Sequence, residues 1–182
     1  GENVRVDRAY LMRREGGRVF LVYDIDEASD DYETFVYELT KDGAVKTANI
    51  WARLDGKNVN PENMVLIFTL NVLGTYTSEM RYELSEDGVF TALDDIYYIE
   101  AIRMWQELIT KRQLPVTIDG QESTLPEGSH LFITATDNAG TAYFEGTDAS
   151  GKAVSGEIHY EQQEGEFTHT IAGVDEFEYF AG

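Results

Sequence analysis

Two stretches of the chain are near-copies of each other, and each joins a strand-like run to an Asp-Gly turn. Tyr37-Glu38-Leu39-Thr40-Lys41-Asp42-Gly43 recurs as Tyr82-Glu83-Leu84-Ser85-Glu86-Asp87-Gly88. A period of this size constrains the chain to a small β-unit used twice. The runs around each copy extend the reading. Ala9 to Arg13, Gly16-Gly17 and Arg18 to Tyr23 make one hairpin, and Thr34 to Leu39 with Ala44 to Trp51 flank Lys41-Asp42-Gly43 as a second, so a four-stranded meander is expected. Met64 to Val72, a turn at Leu73-Gly74-Thr75, Thr77 to Leu84, and Glu86-Asp87-Gly88 leading into Val89-Phe90 match its later strands. Units of this length have the size of a β-propeller blade, but a closed propeller needs at least about four blades, and 182 residues leave room in this half for two. Two meanders packed face to face are therefore expected, since a truncated propeller would leave exposed edges.

Asp94 to Arg112 breaks the pattern. Tyr97, Ala101, Met104 and Leu108 form one apolar stripe at helical spacing, and Tyr98, Ile102, Trp105 and Ile109 form its neighbour; Glu100, Arg103, Glu107 and Lys111 fall opposite. Acids at the start, Lys111-Arg112 at the end and Pro115 beyond complement a helix dipole and its stop. The spacing predicts an amphipathic helix over 94–112 that ends a repeat-built β domain, residues 1–113. After Leu114-Pro115 the chain returns to short strands: Val116 to Ile118, Leu131 to Ala135, Ala142 to Phe144, Ala153 to Tyr160 and Phe167 to Ile171, separated by Asp119-Gly120, Asp137 to Gly140 and Asp148 to Gly151. Five strands so closely spaced suit a small, partly open barrel over 114–182. The fold class expected is mainly β, a duplicated antiparallel meander with one helix and a small barrel. The tail from Phe177 to Gly182 is expected to dock on that barrel as a last strand.

Thirty-four acids against 14 Lys and Arg leave a net charge of −20. Such a charge repels phosphate backbones and anionic lipid, so nucleic acid is not an expected partner, while basic proteins and divalent cations fit it. With no cysteine there is neither a disulfide nor a thiolate site. No apolar run reaches the roughly 20 residues of a transmembrane helix. Gly1 reads as the residue left by a cleaved tag.

Candidate chemistry is sparse. Asp24-Ile25-Asp26-Glu27-Ala28-Ser29-Asp30-Asp31 is the densest acidic stretch, and oxygen ligands at alternating positions suit calcium. Read as an EF-hand loop from Asp24 it fails, with Ala28 at the fifth position, Ser29 at the glycine position and Phe35 where a bidentate Glu belongs. A less regular calcium site formed by Asp24, Asp26, Asp30 and Asp31 is the remaining expectation, against a solvated acidic loop. Gly146-Thr147-Asp148-Ala149-Ser150-Gly151-Lys152-Ala153 resembles a phosphate-binding loop, but Ala153 replaces the magnesium-holding hydroxyl and strands flank it, so a hairpin turn explains its glycines. Of the three histidines, His130, His159 and His169, the last two lie on adjacent candidate strands without a third zinc ligand. No Gly-x-Ser-x-Gly elbow is present. Tyr97, Tyr98, Trp51, Trp105, Tyr143, Tyr179 and Phe180 are platforms on which a sugar ring would stack, set against core packing.

The stretch Leu125-Pro126-Glu127-Gly128-Ser129-His130-Leu131-Phe132-Ile133-Thr134-Ala135-Thr136-Asp137, followed by Ala142-Tyr143-Phe144, resembles the Gly-leading strands of bacterial SH3-like domains of cell-envelope proteins. With the paired Tyr-Glu-Leu and Asp-Gly turns, the whole chain is similar to secreted or lipoprotein-anchored proteins of Gram-positive bacteria in which propeller-like repeats precede a small barrel. The resemblance implies an extracellular or cell-surface-anchored location and carries no known activity with it. The function expected is a non-enzymatic binding module of the cell envelope, with a protein or a cell-wall glycan as ligand. The alternatives are a glycan hydrolase using two carboxylates and an acidic inhibitor of a basic protein.

Overall fold

Alternation of apolar and polar side chains turns most of the chain into antiparallel strands, and among the described residues none of the sheets closes into a barrel. The structure is a computed structural model that describes residues 5–27, 31–57, 59–99, 107–162 and 168–180. It divides into two compact units, Gly1–Thr69 with Glu79–Asp95, and Leu70–Ser78 with Ile96–Gly182. The tip of one hairpin is thus counted with the second unit.

In the first unit β1 (Arg5–Arg13), β2 (Val19–Glu27), β3 (Asp31–Thr40) and β4 (Gly43–Ile50) form a four-stranded sheet in chain order, the meander expected from the turns. Phe20, Val22 and Val36 are fully buried, whereas Leu11 and Leu39 are exposed. That period of two fixes the register, because a slip of one residue would turn the buried set outward. On the other face Tyr23 stacks on Phe35 and Tyr37 at ring separations of 5.6 and 5.9 Å. Next come β5 (Arg53–Leu54), β6 (Met64–Asn71), β7 (Thr75–Leu84) and β8 (Phe90–Ala92), with β5 paired to β6 and β8 to β7. Every second residue of β6 and β7 is buried, from Met64 and Leu66 to Tyr82 and Leu84.

Both copies of the sequence repeat are strand–turn–strand segments of this unit, but their turns differ. In the first, Thr40 pairs with Gly43 across a two-residue turn. In the second, Leu84 pairs with Phe90 and the longer loop is closed by Ser85 N–H to Val89 O, 2.9 Å. One side chain touches both copies. Arg18 donates through Nε and Nη2 to Glu38 of the first, at 2.8 and 2.7 Å, and through Nη1 to the Glu86 carbonyl and Asp87 Oδ1 of the second. Gly88 of the second copy has φ +72°, and a Cβ there would run into the Phe20 ring and stand 2.7 Å from Thr47 Oγ1. Only glycine combines that conformation with that approach.

The second unit contains β9 (Tyr97–Ile99), β10 (Leu108–Ile109), β11 (Leu114–Ile118), β12 (Gln121–Leu125), β13 (His130–Thr136), β14 (Thr141–Thr147), β15 (Ala153–His159), β16 (Glu161–Gln162), β17 (His169–Ile171) and β18 (Val174–Asp175). The sheet runs β12-β11-β15-β14-β13, and β16-β17-β18 form a separate ribbon. Leu114, Leu131, Phe144, Ile158 and Ile171 form the centre of its core, each at most 1 % exposed. Full burial of such a side chain contributes about 1.5–3 kcal/mol.

Two expectations need correction. The described parts of 94–112 are not helical: Tyr97 and Tyr98 pair with Thr136 and Ala135, and Leu108 and Ile109 pair with Leu131 and His130. Residues 97–99 and 108–109 are two strand pieces, β9 and β10, each paired with β13. Residues 100–106, with Ala101, Met104 and Trp105, lie outside the described residues. Asp94, read as a helix-start acid, instead grips the Arg81 guanidinium with both oxygens, at 2.8 and 2.5 Å. Among the described residues the strands of 114–182 lie in an open sheet and a separate ribbon, and neither closes into a barrel. The tail docks through a 3-10 turn, Glu176–Glu178, and a bridge from Phe180 to Thr110, with Tyr179 and Phe180 buried.

Candidate functional site: a groove where two strands part

The second unit opens where β11 and β15 separate. They are in register at one pair, Thr117↔Glu157. Close approach there depends on Gly156, since a Cβ would collide with the Thr117 carbonyl oxygen and lie 3.2 Å from Ile118 and Phe144. Continued in the same register, the ladder would set Pro115 against His159, and proline has no N–H to donate. The chain beyond β15 turns elsewhere, with Tyr160 N–H bonded to Gly140 O at 2.8 Å. The result is a groove of about 850 Å³ lined by Pro115–Thr117 of β11, Glu122–Thr124 of β12, His159–Glu161 and Ile171–Ala172.

Its floor is apolar and its rim is polar and acidic. Val116, Tyr160 and Ile171 are buried, while Glu122, Ser123, Thr124 and Glu161 are exposed. Thr117 Oγ1 lies 3.2 Å from His159 Nε2, which is 3.6 Å from Glu157 Oε2. Glu122 is registered with Thr117 from the other side, so Thr117 stands between two carboxylate-bearing strands. Among the described residues no Lys or Arg belongs to the lining. The groove therefore offers negative charge, hydroxyls and an apolar base.

Behind the floor is a buried polar group. The Tyr160 ring meets the His169 ring edge-on at 5.0 Å. Glu176 Oε1 accepts the His169 backbone N–H at 3.0 Å and lies 3.2 Å from its Nδ1. Burial, then the nearby Glu176 charge, holds the Tyr76 hydroxyl well above the ordinary tyrosine range. Tyr76 Oη, Ser78 Oγ and His169 Nε2 are buried without a hydrogen-bond partner among the described residues.

The acidic stretch of the first unit is distributed differently. Asp24 is fully buried, its Oδ1 2.8 Å from Thr34 Oγ1 and its Oδ2 accepting Leu54 N–H at 3.1 Å. Asp26 is half-buried further along β2 and registered with Tyr32; Asp31 opens β3, registered with Glu27. Asp30 lies outside the described residues. No three of His, Asp and Glu come together to hold a metal ion among the described residues. His159 and His169, read as neighbours, bond different partners, Thr117 and Glu176, and His130 is 3.0 Å from Glu107. The glycines of 146–153 serve the β14–β15 hairpin, where Asp148 Oδ1 accepts from Ser150 and Lys152 N–H. Of the aromatic platforms, Trp51 and Tyr98 are exposed, Tyr97 and Tyr143 half-buried, Tyr179 and Phe180 buried, and Trp105 outside the described residues.

Sequence reasoning missed β12 and with it the groove. Gln121-Glu122-Ser123-Thr124 is a polar, exposed run without β-branched or aromatic weight apart from Thr124. The signal was the turn before it: Asp119 and Gly120 both have positive φ, 51° and 72°, as a two-residue hairpin turn requires. A strand at Val116 to Ile118 entering such a turn demands a partner leaving it. Compared with known protein families, curated proteins and solved structures, the chain matches none.

Proposed function

We propose that the chain is a non-enzymatic binding module of the bacterial cell envelope, extracellular or anchored at the cell surface, whose ligand, a protein or a cell-wall glycan, occupies the groove between β11 and β15. The observation that carries the reading is the groove itself, an apolar floor beside hydroxyls and carboxylates. Ligand sites combine an apolar base with a few polar groups in this way. The SH3-like character of 114–182 and the likeness to Gram-positive surface proteins belong to this proposal and supply its location. Titration of labelled protein with peptides and with peptidoglycan fragments tests it: amide shifts confined to 115–124 and 159–161 are expected, and ligands that move only residues elsewhere would refute it. Fractionation of cells tests the location.

The hydrolase reading draws on one observation. Glu122 and Glu157 flank Thr117 from neighbouring strands, their backbones two strand spacings or about 10 Å apart across the sheet, and inverting glycosidases hold their carboxyl groups roughly 6.5–9.5 Å apart. Release of reducing ends from peptidoglycan that disappears in both Glu122→Gln and Glu157→Gln would favour it over binding alone.

A further inference from the structure

We infer that the ligand of the groove is an extended, positively charged segment of another polypeptide. The inference rests on the binding reading above and names its partner.

Shape is the first argument. The opening is a parting between two strands of one sheet, and the chain segment that matches such a gap is itself extended. Beside it β12 ends the sheet order, so its outer edge is unpaired among the described residues and offers a row of backbone groups to an added strand. Thr117, Ser123 and Thr124 place hydroxyls along the lining for the ligand's backbone amides.

Charge is the second. Glu122 and Glu161 are on the lining, Glu157 stands by His159, and among the described lining residues no Lys or Arg accompanies them. The chain's net charge of −20 adds a long-range field of the same sign, which steers cationic ligands inward. Val116, Tyr160 and Ile171 close the base of the groove with little exposed surface, so an extended segment lies across them, and a pattern that alternates basic residues with β-branched ones keeps the segment extended while its cations face the acidic rim. A sugar fits less well. Tyr160 is the one aromatic ring among the described lining residues, it is 6 % exposed, and its ring packs on His169, so it offers little face to a pyranose.

The probe is an N-acetylated, C-amidated octapeptide of alternating lysine and valine, followed by amide shifts of the labelled chain. A glutamate–valine octapeptide and an N-acetylglucosamine hexamer serve as comparisons. The lysine–valine peptide is expected to shift 115–124 and 159–161. Its affinity is expected to fall about tenfold in the pair Glu122→Lys and Glu161→Lys, and likewise on raising salt from about 0.05 to 0.5 M. Both glutamates are exposed, and an unchanged spectrum outside the groove confirms that the variant folds; the milder Glu122→Gln with Glu161→Gln is expected to weaken binding in the same direction. Equal binding of the glutamate–valine peptide, or affinity indifferent to both variants, overturns the inference. Shifts in the groove from the hexamer and none from the lysine–valine peptide overturn it while leaving the binding reading intact. Silence of the groove toward all three probes removes both.

Discussion

Tyr76 and Gly88 show how single residues set the tolerance of each unit. The Tyr76 hydroxyl is buried without a partner among the described residues, and its folded-state pKa is raised by burial and then by Glu176. A raised tyrosine pKa leaves stability intact below the unfolded value of about 10 and withdraws it as pH rises beyond. Tyr76→Phe is therefore expected to gain about 1 kcal/mol at pH 7 by removing an unpaired hydroxyl, and to flatten the alkaline fall in stability. Urea melts at pH 7 and above pH ~10 check both parts; a destabilised variant would mean the hydroxyl is bonded. At Gly88 the expectation is opposite. Gly88→Ala meets the Phe20 ring and an unfavourable φ at once, costing about 1–3 kcal/mol, measurable as a lower urea midpoint with the slope unchanged. The sequence reading placed Gly88 in a turn correctly. That it also seats Phe20 follows only from the fold.

At the scale of elements, hairpins were legible and the segment 94–112 was not. Hairpins announce themselves locally, through alternation and turn residues such as Lys41-Asp42-Gly43 and Asp148 to Gly151. Residues 97–99 and 108–109 satisfy helical periodicity as well as any helix, yet β13 has an open side and their backbones pair with it. Tertiary pairing overrides a stripe of period 3.6 when unsatisfied strand groups lie within reach. Asp94 marks the difference in a testable way, because the Arg81 guanidinium holds its carboxyl below the usual range. A depressed pKa contributes stability that is present above the unfolded value and lost as pH falls through the folded one. Asp94→Asn is expected to destabilise the protein at pH 7 and to match it once acid has protonated Asp94 in the parent, so the two stability curves converge at low pH. A difference that persists there would mean that the hydrogen-bond geometry, not the charge, is responsible. For the groove, Gly156→Val pushes a side chain into the Thr117 carbonyl. Loss of about 2 kcal/mol and faster amide exchange in β11 and β15 than in β14 are expected. Uniform exchange would place the strain elsewhere.

For the molecule as a whole, the acid excess acts on stability and association together. A net charge of −20 repels itself in the compact state, so raising salt from about 0.01 to 0.3 M, which shortens the Debye length several-fold, is expected to raise the melting temperature by a few degrees. A melting temperature that falls with salt would show ion pairs such as Arg81–Asp94 outweighing the repulsion. The sequence by itself determined the mainly β class, the first meander and the apolar strands of the second half, though not the polar β12, because alternation and turn chemistry are properties of neighbouring residues. It also determined the sign of the net charge. Tertiary structure decided what depends on residues far apart. It made 97–99 and 108–109 strands of β13, joined both repeat copies to Arg18, and parted β11 from β15 by setting Pro115 opposite the end of a strand more than forty residues away. A groove is made of missing pairings, and no local pattern records which pairing a strand will lack.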